Sequence, residues 1–142
     1  MSDDFDWEGR YREDTAGWDF GEVVPALEDW LVDQPPVTGE VVVPGCGRGH
    51  EAAAVANKWP EAVVVGVDLS ETAVREAQER YIFPNLRYDT GDFFAASGKD
   101  DLVAIIEHTC FCAIPPELRP VYRDTAARRL RAGGLLIAVF YL

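Results

Sequence analysis

The sequence contains little lysine, little cysteine and no long hydrophobic run. Lys58 and Lys99 are the only lysines, and 25 acidic residues against 13 basic ones give a formal net charge of −12. Such a chain repels the phosphates of nucleic acids and anionic membrane surfaces, so we expect neither as a partner. No apolar stretch approaches the length of a membrane span, and the polar N-terminus is not a signal peptide. We therefore expect a cytoplasmic protein.

The cysteines argue against both a disulfide framework and a metal centre. Cys46, Cys110 and Cys112 are an odd set, and the last two are separated by one residue, which is too close for an ordinary relaxed bridge. A structural zinc site needs four ligands, and the only other soft ligands in the chain are His50 and His108. We expect half-buried thiols and no metal site.

Strand-like and helix-like segments alternate along the chain, whose 142 residues suit one domain. The predicted strands are 40–44, 62–68, 86–90, 101–107 and 135–142, and the predicted helices are 22–33, 50–59, 71–81 and 116–131. We expect residues 1–38 to form an N-terminal cap segment and helix, and residues 39–142 to form the core. The alternation predicts an α/β fold with a doubly wound, Rossmann-like parallel sheet of strand order 3-2-1-4-5.

The strongest local signal is the turn Gly45-Cys46-Gly47-Arg48-Gly49, which follows the first predicted strand and precedes a helix. Glycines let a ligand approach the backbone, and a helix N-terminus offers free N–H groups. A dinucleotide fingerprint would need a third glycine where the chain has His50, so a dehydrogenase domain is disfavoured. The pattern G-x-G-x-G is the variant usual in binding of S-adenosylmethionine (SAM). The alternative is a plain tight turn.

Two aspartates follow the next two predicted strands. Asp68 lies 23 residues after Gly45, close to the spacing of about 20 expected for an acidic ribose ligand. Its alternative role is a cap on the following helix, which Ser70 already supplies. Asp92 could accept the amino group of an adenine while Phe93 packs on the ring, or it could be a turn aspartate before core aromatics. All three signals fall at the carboxyl edge of the predicted sheet, where ligands bind.

The chain also resembles a known family. The motifs that carry the resemblance are Trp18-Asp19-Phe20-Gly21, Val43-Pro44-Gly45-Cys46-Gly47-Arg48-Gly49, Gly66-Val67-Asp68-Leu69-Ser70, Gly91-Asp92-Phe93-Phe94 and the run from Thr109 to Pro120. They are similar to the thiopurine S-methyltransferase family, and most of all to its halide and thiol methyltransferase branch. The likeness extends from Trp7 to Phe140.

The resemblance implies a set of site residues. Those it assigns to the cofactor are Trp18, Gly45, Cys46, Gly47, Gly49, Asp68, Leu69, Asp92, Phe93, His108 and Thr109. Those it assigns to catalysis are Trp18, which would cover the transfer site, His108, which would lie near the sulfonium, and Arg119, which would lie near the acceptor. The alternative for Arg119 is a surface or helix-capping arginine.

The implied activity is SAM-dependent transfer of a methyl group to a small soft nucleophile, a thiol or a halide, with S-adenosylhomocysteine as product. The family normally continues past the fifth strand with a helix and an antiparallel strand pair, which we expect to be missing here. The alternative is therefore a module, or a minimal truncated methyltransferase, that binds SAM without turnover. The apolar strand 135–142 would lie at the edge of the sheet, which predicts a homodimer through that edge.

Overall fold

The computed structural model describes residues 5–95 and 101–140. The strands in these ranges are β1 (Gly39–Pro44), β2 (Ala62–Asp68), β3 (Leu86–Thr90), β4 (Leu102–His108) and β5 (Leu130–Val139). The α-helices are α1 (Trp7–Arg12), α2 (Pro25–Val32), α3 (His50–Lys58), α4 (Glu71–Arg80), α5 (Cys110–Ala113) and α6 (Arg119–Arg129). Short 3-10 turns, Phe93–Ala95 and Pro116–Leu118, follow β3 and precede α6.

The strands form one parallel sheet in the order β3-β2-β1-β4-β5. Val41 of β1 pairs with Val64 of β2 on one side and with Ala104 of β4 on the other, so β1 lies at the centre. The chain therefore reverses its direction of winding between β3 and β4. The predicted fold class and strand order are confirmed.

Each face of the sheet is covered by helices. Val41 and Val43 pack with side chains of α2, α3 and α4, whereas Val42 packs on the opposite face with Tyr122 and Ala126 of α6. These three valines are at most 2% exposed. A strand buried on both faces requires a continuous apolar run, which is why the alternation typical of half-buried strands is absent here.

The C-terminal part differs most from the predicted boundaries. The predicted helix 116–131 is a 3-10 turn followed by α6, and β5 begins at Leu130 and includes Gly133 and Gly134, which lie between the predicted helix and the predicted strand 135–142. Gly133 has a φ of +80°, and the pairing of β4 with β5 shifts register between Leu102 and Ala104. The glycines thus accommodate an irregularity inside the strand. Residues 141 and 142 of the predicted strand lie outside the described residues.

The N-terminal part contains a helix that the sequence analysis did not predict. The carboxylate of Asp6 accepts a hydrogen bond of 2.7 Å from the N–H of Gly9 and so caps α1. The helix predicted over 22–33 begins later, because Pro25 occupies its first turn. We call residues 5–21 the roof segment. No helix among the described residues is both long enough and apolar enough to cross a membrane.

Candidate functional site

The glycine turn between β1 and α3 has a backbone that only glycine adopts easily. Gly45, Gly47 and Gly49 have φ values of +59°, +53° and +84°. A Cβ added at Gly47 would lie 2.6 Å from the hydroxyl oxygen of Tyr11, and one added at Gly49 would lie 2.5 Å from that of Tyr88. Both the conformation and the close packing therefore exclude side chains at Gly47 and Gly49.

Asp68 ends β2 and is buried, with 7% of its surface exposed. One carboxylate oxygen accepts a hydrogen bond of 2.9 Å from the N–H of Gly47, and the other accepts one of 2.9 Å from the N–H of Ser70. Burial raises the pKa of Asp68, and these hydrogen bonds oppose the rise. Because a carboxylate offers about four acceptor positions, about two remain for a ligand.

A cavity of about 190 Å³ lies between the carboxyl edge of the sheet and the roof segment. Its lining consists of aromatic and small side chains with one buried carboxylate: Trp7, Tyr11, Trp18, Gly45, Asp68, Leu69, Thr109, Cys110, Cys112 and Ala113. A smaller space of about 30 Å³ adjoins it and shares Tyr11, Trp18, Gly45 and Thr109. The smaller space is polar and adds Asp19, Phe20, Glu22, Cys46, Gly47, Arg48, His50, Glu51 and His108.

The rings of the roof segment hold one another in place above the cavity. Trp7 and Trp18 meet edge to face with ring centroids 5.4 Å apart, and Tyr11 and Trp18 meet in the same way at 5.7 Å. The indole N–H of Trp18 donates a hydrogen bond of 2.9 Å to the hydroxyl of Tyr11. The roof is therefore a preformed aromatic surface rather than a set of independent side chains.

Arg48 of the glycine turn connects the roof segment to the sheet. Its guanidinium donates to the carboxylates of Asp14 at 2.9 Å, Asp19 at 3.1 Å and Glu76 at 2.6 Å. It also lies over the ring of Tyr11, with 5.1 Å to the centroid. One side chain thus ties the turn, the roof segment and α4 together.

Asp19 has a second basic partner in His50. The imidazole lies 2.8 Å from the Asp19 carboxylate through Nε2 and 2.8 Å from the hydroxyl of Tyr81 through Nδ1. Burial alone would raise the pKa of Asp19, but hydrogen bonds from His50, the N–H of Gly21 and Arg48 hold it well below its ordinary value. The contact between Asp19 and His50 was not predicted from the sequence.

Glu8 fastens the roof segment at a further point. Its carboxylate accepts a hydrogen bond of 2.8 Å from the hydroxyl of Ser70 and others from the N–H and hydroxyl of Thr72. These donors lie at the start of α4, where a negative charge is favourable. Hydrogen bonding by Thr72, opposed by burial, lowers the pKa of Glu8.

His108 ends β4 and faces Glu51 of α3. Its Nδ1 lies 3.1 Å from the Glu51 carboxylate, and the two side chains are 7% and 12% exposed. The ring of Phe20 stacks near the imidazole, with centroids 6.3 Å apart and planes at 24°. His108 was predicted at the site, whereas Glu51 was not, because the two residues are 57 positions apart in the chain.

Glu107 fixes the loop that follows β4. Its carboxylate is 1% exposed and accepts hydrogen bonds from the N–H of Cys110 at 3.1 Å, the N–H of Phe111 at 3.2 Å and the hydroxyl of Tyr122 at 3.2 Å. Burial raises its pKa in spite of these bonds. Glu107 was not predicted as a site residue from the sequence. The signal that could have identified it is an acidic residue within an otherwise apolar strand.

The structure brings most of the predicted cofactor residues to the two connected spaces. Those that line one or both are Trp18, Gly45, Cys46, Gly47, Asp68, Leu69, His108 and Thr109. Gly49 lies in the turn against Tyr88 and lines neither.

Three predicted residues lie elsewhere. Phe93 is 1% exposed and packs in the core against Tyr122, because the 3-10 turn after β3 directs its ring inward. Asp92 accepts a hydrogen bond of 2.9 Å from the N–H of Phe94 as a turn aspartate and is not among the lining residues. Arg119 lies over the ring of Phe111 in a groove beside α6 and β5, not in the cavity.

The cysteines form no disulfide. Burial raises the pKa values of Cys46 and Cys110 well above the ordinary value, whereas Cys112 is exposed at the cavity. Within residues 5–95 and 101–140, no group of three or more His, Cys, Asp or Glu side chains could hold a metal ion.

Comparison with solved structures shows the fold. A TehB-like SAM-dependent methyltransferase from Corynebacterium glutamicum has a TM-score of 0.65 at 22% identity and covers 93% of this chain and 69% of its own. A putative methyltransferase solved with the Haloferax volcanii Trm112 activator has a TM-score of 0.68 at 21% identity, with coverages of 92% and 56%.

Comparison of sequences identifies the family. Thiocyanate methyltransferase 1 of Brassica oleracea is 34% identical over 139 residues, which are 95% of this chain and 61% of that protein. Thiopurine S-methyltransferase of Vibrio campbellii is 30% identical, with coverages of 98% and 71%. The chain thus spans about 60% of the length of its plant relatives. The family model for thiopurine S-methyltransferase matches residues 2–142, and the chain belongs to that family.

Proposed function

We propose that this chain binds SAM and transfers its methyl group to a small soft nucleophile, a thiol or an anion such as a halide or thiocyanate. The observation that carries the proposal is the position of Asp68. Its buried carboxylate has acceptor capacity left over and faces an aromatic-roofed cavity beside the glycine turn. Family membership supports the same conclusion, since matching relatives are named thiocyanate, thiol and thiopurine methyltransferases.

The residues around the cavity fit this cofactor. Asp68 would accept bonds from the two ribose hydroxyls, Gly45 and Gly47 would border the methionine part, and Leu69 would contact the nucleoside. When bound, SAM supplies an electrophilic methyl group. The roles of Asp92 and Phe93 at the adenine stay predictions, since neither side chain lines the cavity.

The chain's own contribution is orientation and exclusion of water. Trp7 and Trp18 close the cavity from above, so a nucleophile held beneath them loses its hydration shell and its freedom to move. A halide or thiocyanate is already an anion and needs no base. Such acceptors match a site whose larger space contains aromatic rings and a single carboxylate.

The alternative is SAM or S-adenosylhomocysteine binding without turnover. It is favoured by the position of Arg119 outside the cavity. Cofactor binding with no methylated product from iodide or from small thiols would decide for this alternative.

We also propose a cytoplasmic homodimer that has no nucleic-acid or membrane partner. Free Cys46 and Cys110 suit a reducing compartment, and the net charge of −12 disfavours polyanions. The second copy would pair along β5, whose Leu135 and Leu136 are 49% and 44% exposed, as is Phe140 directly after it at 49%. Light scattering at micromolar concentration should give twice the chain mass, and Leu136→Lys should give the monomer. A monomeric wild type contradicts the dimer.

Calorimetric titration of S-adenosylhomocysteine tests the binding proposal. Asp68→Asn should weaken binding at least about tenfold, since an amide replaces one acceptor oxygen with a donor. Asp89→Asn, on exposed β3, is the control and should bind as the wild type does. Thermal melts show whether each variant folds. No binding by the folded wild type would reject the proposal.

A further inference from the structure

Tyr11 carries a buried hydroxyl to which the proposed function assigns no role. The residue is 5% exposed and lines both the cavity and the smaller space. Its hydroxyl oxygen accepts the hydrogen bond of 2.9 Å from the indole N–H of Trp18. Within residues 5–95 and 101–140 this is the one hydrogen bond of the hydroxyl, so its own hydrogen has no acceptor there. Because buried hydroxyls are nearly always paired, this hydrogen is a donor for a molecule bound in the cavity.

The Tyr11 hydroxyl and the Asp68 carboxylate both lie next to Gly47. The N–H of Gly47 donates to Asp68 at 2.9 Å, and a Cβ added at Gly47 would lie 2.6 Å from the hydroxyl oxygen. Burial, and after it the charge of Asp68, raise the pKa of Tyr11 well above its ordinary value. The hydroxyl therefore stays protonated and close to Asp68, and these two described side chains form no hydrogen bond with each other.

A donor close to an acceptor is the arrangement that binds a hydroxyl group. A ligand hydroxyl that donates to Asp68 keeps lone pairs, which can accept a hydrogen bond from Tyr11. A ligand carboxylate in the same place would be repelled by Asp68 and by Asp19, whose charge also raises the pKa of Tyr11. An ammonium group has no lone pair to accept from Tyr11. The pair of side chains thus fits a sugar hydroxyl.

We propose that the Tyr11 hydroxyl is a second ribose ligand, which donates a hydrogen bond to a ribose hydroxyl that itself donates to Asp68. The inference rests on the proposed function, which assigns the ribose to Asp68, and it deepens that assignment by naming the donor that completes the site. The hydrogen bonds then run from the N–H of Trp18 through Tyr11 and the ribose to Asp68, and each strengthens the next. The site thereby distinguishes a ribose from a deoxyribose.

Calorimetric titration with S-adenosylhomocysteine and its 2′-deoxy and 3′-deoxy analogues isolates this hydrogen bond. Tyr11→Phe keeps the ring and removes the hydroxyl, so it should weaken S-adenosylhomocysteine binding by about three- to tenfold, the range for one neutral hydrogen bond. For the analogue that lacks the accepting hydroxyl, the same substitution should change the affinity by less than about twofold. The other analogue should show the full loss.

A fourth ligand separates the ribose from the amino-acid end of the cofactor. 5′-Methylthioadenosine retains the ribose and lacks the amino-acid end. Tyr11→Phe should weaken its binding by the same factor, about three- to tenfold. A loss of affinity for S-adenosylhomocysteine without any loss for 5′-methylthioadenosine would assign the hydroxyl to the amino-acid end and overturn the inference.

A second tyrosine at the glycine turn provides the matched control. Tyr88 is 7% exposed, its hydroxyl lies 3.5 Å from the carbonyl oxygen of Gly49, and it lines neither space. Tyr88→Phe should therefore bind all four ligands as the wild type does, and thermal melts show whether each variant folds. Tyr11→Phe also removes the acceptor of the Trp18 N–H, and a disturbed roof segment lowers the affinity for every ligand alike. An equal loss for all four ligands would overturn the ribose role.

Carbon NMR gives a readout in the wild type, which decides the question even if Tyr11→Phe does not fold. The chain has five tyrosines, whose Cζ atoms can be labelled and report hydrogen bonding by their hydroxyls. One Cζ signal should shift on binding of S-adenosylhomocysteine and of 5′-methylthioadenosine, and it should shift less with the analogue that lacks the accepting hydroxyl. Signals that respond alike to every ligand, or do not respond, would overturn the inference.

Binding by the wild type separates the two proposals. A folded wild type that does not bind S-adenosylhomocysteine would reject the proposed function, and the ribose role of Tyr11 with it. A wild type that binds S-adenosylhomocysteine, together with an unchanged affinity in folded Tyr11→Phe, would retain the proposed function and overturn this inference alone.

Discussion

Replacing Arg48 with methionine should loosen the roof segment, since this residue joins it to both the glycine turn and α4. Methionine keeps most of the apolar stem and removes the three ion pairs. The affected carboxylates differ in burial: Asp14 is 86% exposed, Glu76 is 38% exposed and Asp19 is 8% exposed. The loss of stability should therefore be smallest for the pair with Asp14 and largest for the pair with Asp19.

Each of the three ion pairs contributes a different amount to the free energy of unfolding. The pair with Asp14 contributes under about 0.5 kcal/mol, and the shorter pair with Glu76 about 0.5–1 kcal/mol. Removing Arg48 from buried Asp19 costs about 2 kcal/mol, less than the 3–5 kcal/mol typical of a wholly uncompensated charge, because His50 remains bound to it. The free energy of unfolding should therefore fall by about 3 kcal/mol, a large part of the 5–15 kcal/mol usual for a domain.

Urea unfolding of the wild type and Arg48→Met measures this loss, and double-mutant cycles divide it. The coupling of Arg48 with Asp19, measured through Asp19→Asn, should be about 2 kcal/mol, and that with Asp14, through Asp14→Asn, under about 0.5 kcal/mol. High salt should weaken the exposed couplings more than the buried one. A total loss below about 1 kcal/mol, or equal couplings, would contradict the role of Arg48 as the link between the roof segment, the turn and α4.

Three further predictions concern groups at the site and in the core. Because burial raises the pKa of Asp68, calorimetry should show S-adenosylhomocysteine affinity falling as the pH drops through that raised pKa, where the carboxyl becomes protonated; constant affinity contradicts this. Iodoacetamide should label exposed Cys112 in the native chain, and buried Cys46 and Cys110 only after unfolding, as read by mass spectrometry. Phe93→Ala should cost about 3–5 kcal/mol in thermal or urea melts, whereas a ring stacked on a ligand would cost affinity instead.

The sheet was predictable because its determinants are local. The buried run from Val41 to Val43 and the Ser70 cap set strand and helix boundaries through short-range sterics and hydrogen bonding. The start of β5 was not predictable. Consecutive glycines usually end a helix, whereas Gly133 and Gly134 here accommodate a register shift in the pairing of β5 with β4.

A residue of the candidate site could be predicted only where its role depends on the sequence around it and not on distant contacts. The glycine turn and Asp68 follow from strand ends and spacing. The partners of Asp19 and His108 could not be predicted, because these contacts join segments that are distant in the chain and that only the fold brings together. Arg119 shows the converse: a motif position can be recognised while its side chain packs on Phe111, away from the cavity.

The contacts that hold the roof segment also determine when it can dock during folding. Its bonds to Arg48, Ser70 and Thr72 join residues 29 to 64 positions apart in the chain, so they require closure of long loops. During synthesis the roof segment is made before α4, so its hydrogen bonds to Ser70 and Thr72 can form only after the start of α4 has been made. The cover of the cavity is therefore held by contacts that form only once the glycine turn and the start of α4 have been made, and not by the roof segment alone.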